Sequence, residues 1–282
     1  MKKIVIFLSL FVFISANDIS KSFPELIQDY KDSETKQNIS QIFNRDFSLY
    51  PYKTNYLLPV TWDLNKKDDR KQFETKFQIS IMKPFFKNLF DKNEIYFFGY
   101  TQTSWWQTSA PSAPFRENNY EPEVFVLFPM ESYHRRLDAI IFAINHQSNG
   151  RDIPYSRSWN RIYTKVLFHY SQFIFNFRVW YRIPEKKKTS PTDRDGDDNP
   201  DIEDYMGYGD LKIMYPYKDN LITSLIRYNP ETRKGAIEID YSKPIHNKNI
   251  FLYLQYFNGY GESLIDYDRL VNRIGVGIAY SR

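Results

Sequence analysis

From Pro51 onward the chain repeats one pattern: segments of about ten residues in which apolar side chains alternate with polar or small ones, separated by clusters of Asp, Asn, Gly, Pro and Lys. Alternation with period two belongs to strands, so the chain has to fold as β-sheet with one greasy and one polar face. The last segment states it most clearly. Leu270, Ile274, Val276, Ile278 and Tyr280 share a face, and Arg273, Gly275, Gly277, Ala279 and Ser281 share the other. The same split recurs in Leu252, Leu254 and Tyr256 against Tyr253 and Gln255, in Ile237, Ile239 and Tyr241 against Glu238 and Asp240, and in Leu211, Ile213 and Tyr215 against Asp210 and Lys212.

A soluble sandwich also alternates, with its apolar faces turned into a shared core, so the period alone does not choose between a sandwich and a membrane barrel. Three further features favour the barrel. Lys2 and Lys3 precede an apolar stretch from Ile4 to Ile14 and then Ser15 and Ala16, the layout of a secretory signal over residues 1–16. Beyond it no run approaches the roughly 18 apolar residues a spanning helix needs. Aromatic residues reach 18% while mean hydropathy stays at −0.58, and Tyr50, Tyr52, Trp105, Trp106, Trp159, Trp180 and Tyr181 fall near strand ends, where they are expected to form interfacial girdles.

The fold expected is therefore all-β, a twelve-stranded antiparallel transmembrane β-barrel over residues 49–282. The strands are predicted near 50–62, 73–83, 94–106, 120–130, 137–148, 157–168, 172–183, 205–216, 220–229, 234–243, 249–259 and 269–281. Residues 17–48, polar and weakly patterned, are expected as a short N-terminal periplasmic arm. An even strand count returns both termini to the periplasmic side of a Gram-negative outer membrane. Arg161, Lys165, Glu238, Asp240 and Arg273 fall on the lumen face, so paired charges are expected to plug the barrel.

Composition removes several chemistries. With no Cys there is neither a disulfide framework nor a thiolate nucleophile. A net charge of +4 on 38 basic and 34 acidic residues gives no footprint for nucleic acid. Phosphate-binding, dinucleotide, G-x-S-x-G and H-E-x-x-H signatures are absent. Of the four histidines, His134, His169 and His246 fall in or beside predicted turns, where solvated residues are the simplest reading.

His146 has different company. It lies two residues from Ser148 at the end of a predicted strand, so the two side chains leave the same face, the one carrying Ile140, Phe142 and Ile144. On the return strand Asn160 shares its face with Ile162, Val166 and Phe168. All three polar groups thus point toward lipid at the water boundary, where polar side chains are costly and usually functional. The chemistry suggested is nucleophilic acyl transfer: Ser148 attacks, His146 takes its proton, and Asn160 holds the other ring nitrogen.

Residues 145–163, NHQSNGRDIPYSRSWNRIY, resemble the active-site segment of the outer-membrane phospholipase A family. The likeness extends to YTQTSWWQ (100–107), SAPFRENNYEP (112–122), DDNPDIEDYMGY (197–208) and GYGESLIDY (259–267), nearly the whole barrel. The resemblance implies a calcium-dependent, dimeric serine esterase with phospholipase A1 and A2 activity on phospholipids and lysophospholipids, with Ser148, His146 and Asn160 as its triad. It further implies a Ca2+ ion held by the backbone carbonyl of Arg151, the hydroxyl of Ser156 and the hydroxyl of Ser112 from the second subunit of a homodimer. Gln102 matches an interface glutamine of the family; its other reading is a lumen-facing polar residue. The rival class is a non-enzymatic barrel, a small pore or an adhesion surface.

The chain departs from the family pattern in places. Where the family often has R-S-D-P it has Arg151, Asp152, Ile153 and Pro154, which displaces the acid a secondary calcium site would use. Asp198 matches another residue of that site. The run Asp193 to Asn199 has an EF-hand-like start but no glutamate at the twelfth position, so a solvated outer loop is expected. The C-terminus is Arg282 rather than an aromatic.

Overall fold

Each alternating segment becomes an antiparallel strand, and the chain closes on itself. A computed structural model describes residues 49–65, 71–130, 136–190, 193–245 and 250–282. The expected signal and arm, with His134 and His246, lie outside the described residues. In chain order the elements are β1 (Tyr50–Pro51), β2 (Asn55–Asp63), β3 (Phe73–Lys87), β4 (Ile95–Trp106), β5 (Phe115–Pro129), β6 (Leu137–Ser148), β7 (Ser158–Tyr170), β8 (Phe173–Ile183), α1 (Ile202–Met206), β9 (Gly209–Tyr217), β10 (Asn220–Asn229), β11 (Lys234–Ile245), β12 (Ile250–Gly259) and β13 (Val271–Ser281). From β2 to β13 every strand pairs with its successor, and β13 returns to β2 from Arg273↔Asp63 to Ser281↔Asn55. The expected barrel of twelve strands is present, and closure leaves no sheet edge unpaired in the membrane. At the seam Gly277 is obligatory, because a Cβ there would sit 2.1 Å from the Leu57 carbonyl oxygen.

Boundaries shift where local chemistry intervenes. β3 runs on to Lys87 through Pro84, and the ladder slips between Pro84 and Phe86 because proline donates no N–H. β5 starts at Phe115 rather than 120, its first turn pairing with Trp105 and Trp106. The strand expected from 205 starts at Gly209. Ile202–Met206 form α1 instead, which ends where the Gly207 N–H, at φ 67°, donates to the Glu203 carbonyl.

Inside the barrel, charges neutralise one another. Glu74 is gripped by Arg116 and Arg273, Glu262 by Lys76 at 3.1 Å and Arg273 at 3.0 Å, and Glu121 by Lys53 at 2.6 Å and Arg161 at 3.2 Å. Burial alone would raise the carboxyl of Glu262, which lies in the β12–β13 connection, but Arg273, Lys76 and Arg116 outweigh it and hold the group at about 2. The five expected lumen residues all face inward, and a cavity of about 470 Å3 remains beside Lys165, Glu238 and Asp240. Pairs so buried stabilise little net, but removing one partner strands the other's charge.

The girdle assignment is corrected for most of its aromatics. Trp105, Trp159 and Trp180 are buried inside the barrel, and Tyr52 stacks there on Phe125. Trp159 shares strand parity with Arg161 and Trp180 with Arg178 and Arg182, while Trp105 pairs across the ladder with Lys76, and the ring faces attract these cations: the Arg161 guanidinium lies 4.0 Å from the Trp159 ring centre and Lys76 5.4 Å from that of Trp105. Trp106, stacked on Phe115, and Tyr181 do face outward, joined by the Trp62–Phe73 stack. His169 lies within β7 rather than in a turn, its Nδ1 2.6 Å from Asp138 Oδ1.

Candidate active site

Register places the polar groups of the outer wall side by side. β6 and β7 pair with His146 opposite Asn160 and Ser148 opposite Ser158. Residues of the opposite parity, Ala143, Asn145, Arg161 and Tyr163, are buried in the lumen, while Phe142, Ile144 and Ile162 are exposed on the outside. His146, Ser148 and Asn160 therefore emerge on the lipid-facing wall, as the strand period requires. His146 Nδ1 lies 2.8 Å from Asn160 Oδ1. A carbonyl oxygen only accepts, so Nδ1 carries the hydrogen, and in a neutral imidazole with that tautomer Nε2 is the nitrogen with the lone pair. Ser148 is half-buried, opposite Tyr120 of β5, which in turn faces Gln102 of β4. Gln102 is on the outer face, bonded to the Tyr100 hydroxyl at 3.1 Å and Ser104 at 3.2 Å, which excludes the lumen-facing reading.

The connection from 149 to 157 is built around Asn149. Its Nδ2 donates to the Tyr155 carbonyl at 2.8 Å, and its Oδ1 accepts from the Arg157 N–H at 2.9 Å and the Arg151 N–H at 3.3 Å. Gly150, at φ 62°, follows with the Tyr120 ring 3.1 Å from where a Cβ would stand. One buried carboxamide thus fixes the loop that carries both Arg151 and Ser156. Ser112 lies in a different connection, β4–β5, exposed and at φ 61°.

The β8–β9 connection is not a free solvated loop. Ser156 donates to Asp198, which also receives Lys188; Arg182 binds Asp197 at 2.6 Å; and the buried Asn199 accepts the Ser158 N–H at 2.9 Å. The expectation of a solvated acidic loop is corrected, because three of its side chains are spent on holding it against β7, β8 and the β6–β7 loop. From the same connection Glu185 accepts a hydrogen bond from Asn160 Nδ2 at 3.0 Å. Burial raises its carboxyl above the ordinary value and Asp197 adds to this, while Arg182 and the Asn160 bond work against it.

Among the described residues no cluster of three or more His, Asp and Glu forms a metal cage. The oxygens the resemblance points to are a main-chain carbonyl at Arg151 and a hydroxyl at Ser156, whose proton goes to Asp198, leaving its lone pairs available. An all-oxygen set of this kind suits a hard cation. Sequence reasoning missed Asn149, Glu185 and Asn199. The first and last lie inside motifs the resemblance covers, whereas nothing in the sequence around Glu185 marks it.

Comparison with known proteins bears on the family and the fold. The family profile of Phospholipase A1 matches residues 32–280. Phospholipase A1 of Escherichia coli K12 is 39% identical over 254 residues, 86% of this chain and 84% of its own length, and that of Proteus vulgaris is 40% identical over the same span. Outer membrane phospholipase A from Escherichia coli superposes with a TM-score of 0.75 at 38% identity, covering 83% of this chain and 99% of that one. The Salmonella typhi outer membrane phospholipase, solved as a dimer with bound calcium, gives 0.76 at 36% identity, covering 86% and 96%. A match over nearly the whole barrel, in sequence and in backbone alike, makes this chain a member of the Phospholipase A1 family and an outer-membrane β-barrel of the Gram-negative type.

Proposed function

We propose that the protein hydrolyses acyl esters of phospholipids and lysophospholipids, with phospholipase A1 and A2 activity, through Ser148, His146 and Asn160. The observation that carries this is the 2.8 Å contact of His146 Nδ1 with Asn160 Oδ1 on the lipid-facing wall, with Ser148 two residues along the same face. Ser148 Oγ bonds to the ester carbonyl carbon while its proton passes to His146 Nε2. The ester C–O bond then breaks, the leaving alkoxide takes that proton from His146, and the acyl group stays on Ser148. Water, giving a proton to His146, then bonds to the acyl carbon; the bond from that carbon to Ser148 Oγ breaks, Oγ takes the proton back from His146, and the fatty acid leaves. Asn160 does not react; it keeps the imidazole in the tautomer and orientation that the transfer needs.

The related Salmonella typhi protein is a calcium-bound dimer, and an Escherichia coli structure of 36% identity is an active-site variant with alanine in place of an asparagine. Both support the reading. Here the Arg151 carbonyl and the Ser156 hydroxyl would hold Ca2+ together with the Ser112 hydroxyl of a second copy, so that dimerisation completes the site. When bound, such a hard cation polarises the ester carbonyl and stabilises the oxyanion. Gln102, on the outer wall, is available to bond across that interface. Ion pairs crossing the lumen, such as Lys53–Glu121, speak against a wide pore. Purified protein in detergent micelles should release fatty acid with calcium and stop with chelator. Release that persists in Ser148→Ala would overturn the assignment of the nucleophile.

A further inference from the structure

We propose that Glu185 is a positioning residue that fixes the direction of the Asn160 side chain, and through it the reactive tautomer of His146. The inference rests on the triad reading above and adds a fourth member to it.

The reason is an ambiguity built into any triad that ends in a carboxamide. An amide has an accepting end and a donating end of nearly the same shape, so it fits beside an imidazole in two ways. With the oxygen toward Nδ1, that nitrogen carries the hydrogen and Nε2 keeps the lone pair that takes the Ser148 proton. With the amide reversed, its N–H group faces Nδ1, the hydrogen moves to Nε2, and the base is disabled. Aspartate in the same place has no such choice, because both its oxygens accept.

Glu185 removes the choice here. Asn160 lies opposite Ile183, the last residue of β8, and the chain leaves that strand so that Glu185 Oε1 meets Asn160 Nδ2 at 3.0 Å. An ionised carboxylate only accepts, so the donating end of the amide must face it and the oxygen is left for His146 Nδ1 at 2.8 Å. Around Glu185 stand Arg182, Asp197 and Asp198, and Arg182 is itself engaged by Asp197 at 2.6 Å.

The test is a double-mutant cycle on the full-length protein in mixed phospholipid micelles with saturating calcium, reading kcat and KM separately. Glu185→Ala is expected to lower kcat about tenfold with KM within about twofold. Glu185→Gln, which still offers an accepting oxygen but no charge and can itself reverse, is expected to fall between Glu185→Ala and the parent. In the Asn160→Ala background, where there is no amide to direct, Glu185→Ala should change kcat no further. The rate of Ser148 labelling by a sulfonyl fluoride should fall in step with kcat. An unchanged kcat in Glu185→Ala, or the same loss with and without Asn160, overturns the proposal. The two readings fail separately: a Ser148→Ala variant that still turns over removes the triad, whereas an inactive Ser148→Ala beside a fully active Glu185→Ala removes only the role of Glu185.

Discussion

The two walls of this barrel use polarity in opposite ways. The inner wall carries many full charges, several of them matched in ion pairs such as Glu74 with Arg116 and Arg273, and Glu121 with Lys53 and Arg161. The outer wall where β6 ends and β7 begins carries a hydroxyl, an imidazole and a carboxamide, and only the carboxamide has both of its ends engaged. Polar groups in the lumen hold twelve strands in register. Polar groups on the outside, where water-excluding neighbours such as Ile144 and Ile162 surround them, are placed to react.

The largest effect should come from removing the outer nucleophile. Ser148→Ala is expected to lower kcat by at least about a thousandfold while leaving the thermal midpoint in micelles unchanged. The lumen should answer in the reverse sense. Glu74→Ala takes from Arg116 and Arg273 one of the two carboxylates each is buried against, leaving them Asp266 and Glu262, and a loss of roughly 3–5 kcal/mol in unfolding free energy is expected. Sulfonyl fluoride labelling of Ser148 should survive in whatever fraction remains folded; selective loss of labelling would mean that the walls are not independent.

A smaller lumen effect is set by pH. Glu262 has its ordinary value at 4.5 and is held at about 2 in the folded barrel. Its contribution is therefore complete above about 4.5 and is lost as pH falls through about 2, some ~3 kcal/mol in all. Thermal midpoints measured down this range should drop more steeply for the parent than for Glu262→Gln, and parallel curves would refute the linkage. The smallest effect belongs to Ser112→Ala, which should raise the calcium concentration needed for half-maximal activity severalfold without altering stability. Identical calcium titrations would remove Ser112 from the shared set.

The barrel was legible because period two is a local property that twelve segments repeat, and nine of the predicted strands begin within three residues of the barrel strands observed. The pairing of His146 with Asn160 was legible for the same reason, since a short hairpin leaves few registers open. Aromatic direction was misjudged although the information was present: Trp159 shares parity with Arg161, and Trp180 with Arg178 and Arg182, so alternation already assigned them to the lumen. Proximity to a strand end is a weaker guide than parity. Asn149, Asn199 and Glu185 act through loop geometry, which no period encodes. Their partners lie from 2 to 41 positions away in sequence, and only the folded connections bring them together.

Alternation also gives β6 and β7 something like a reading frame. Losing one residue between Leu137 and Asn145 would exchange the two phases downstream, sending the imidazole among the guanidiniums and turning Asn145 and Gln147 out to lipid. A substitution at a single position can be absorbed, but a single deletion would turn the hairpin inside out, so these strands should tolerate altered letters far better than altered length.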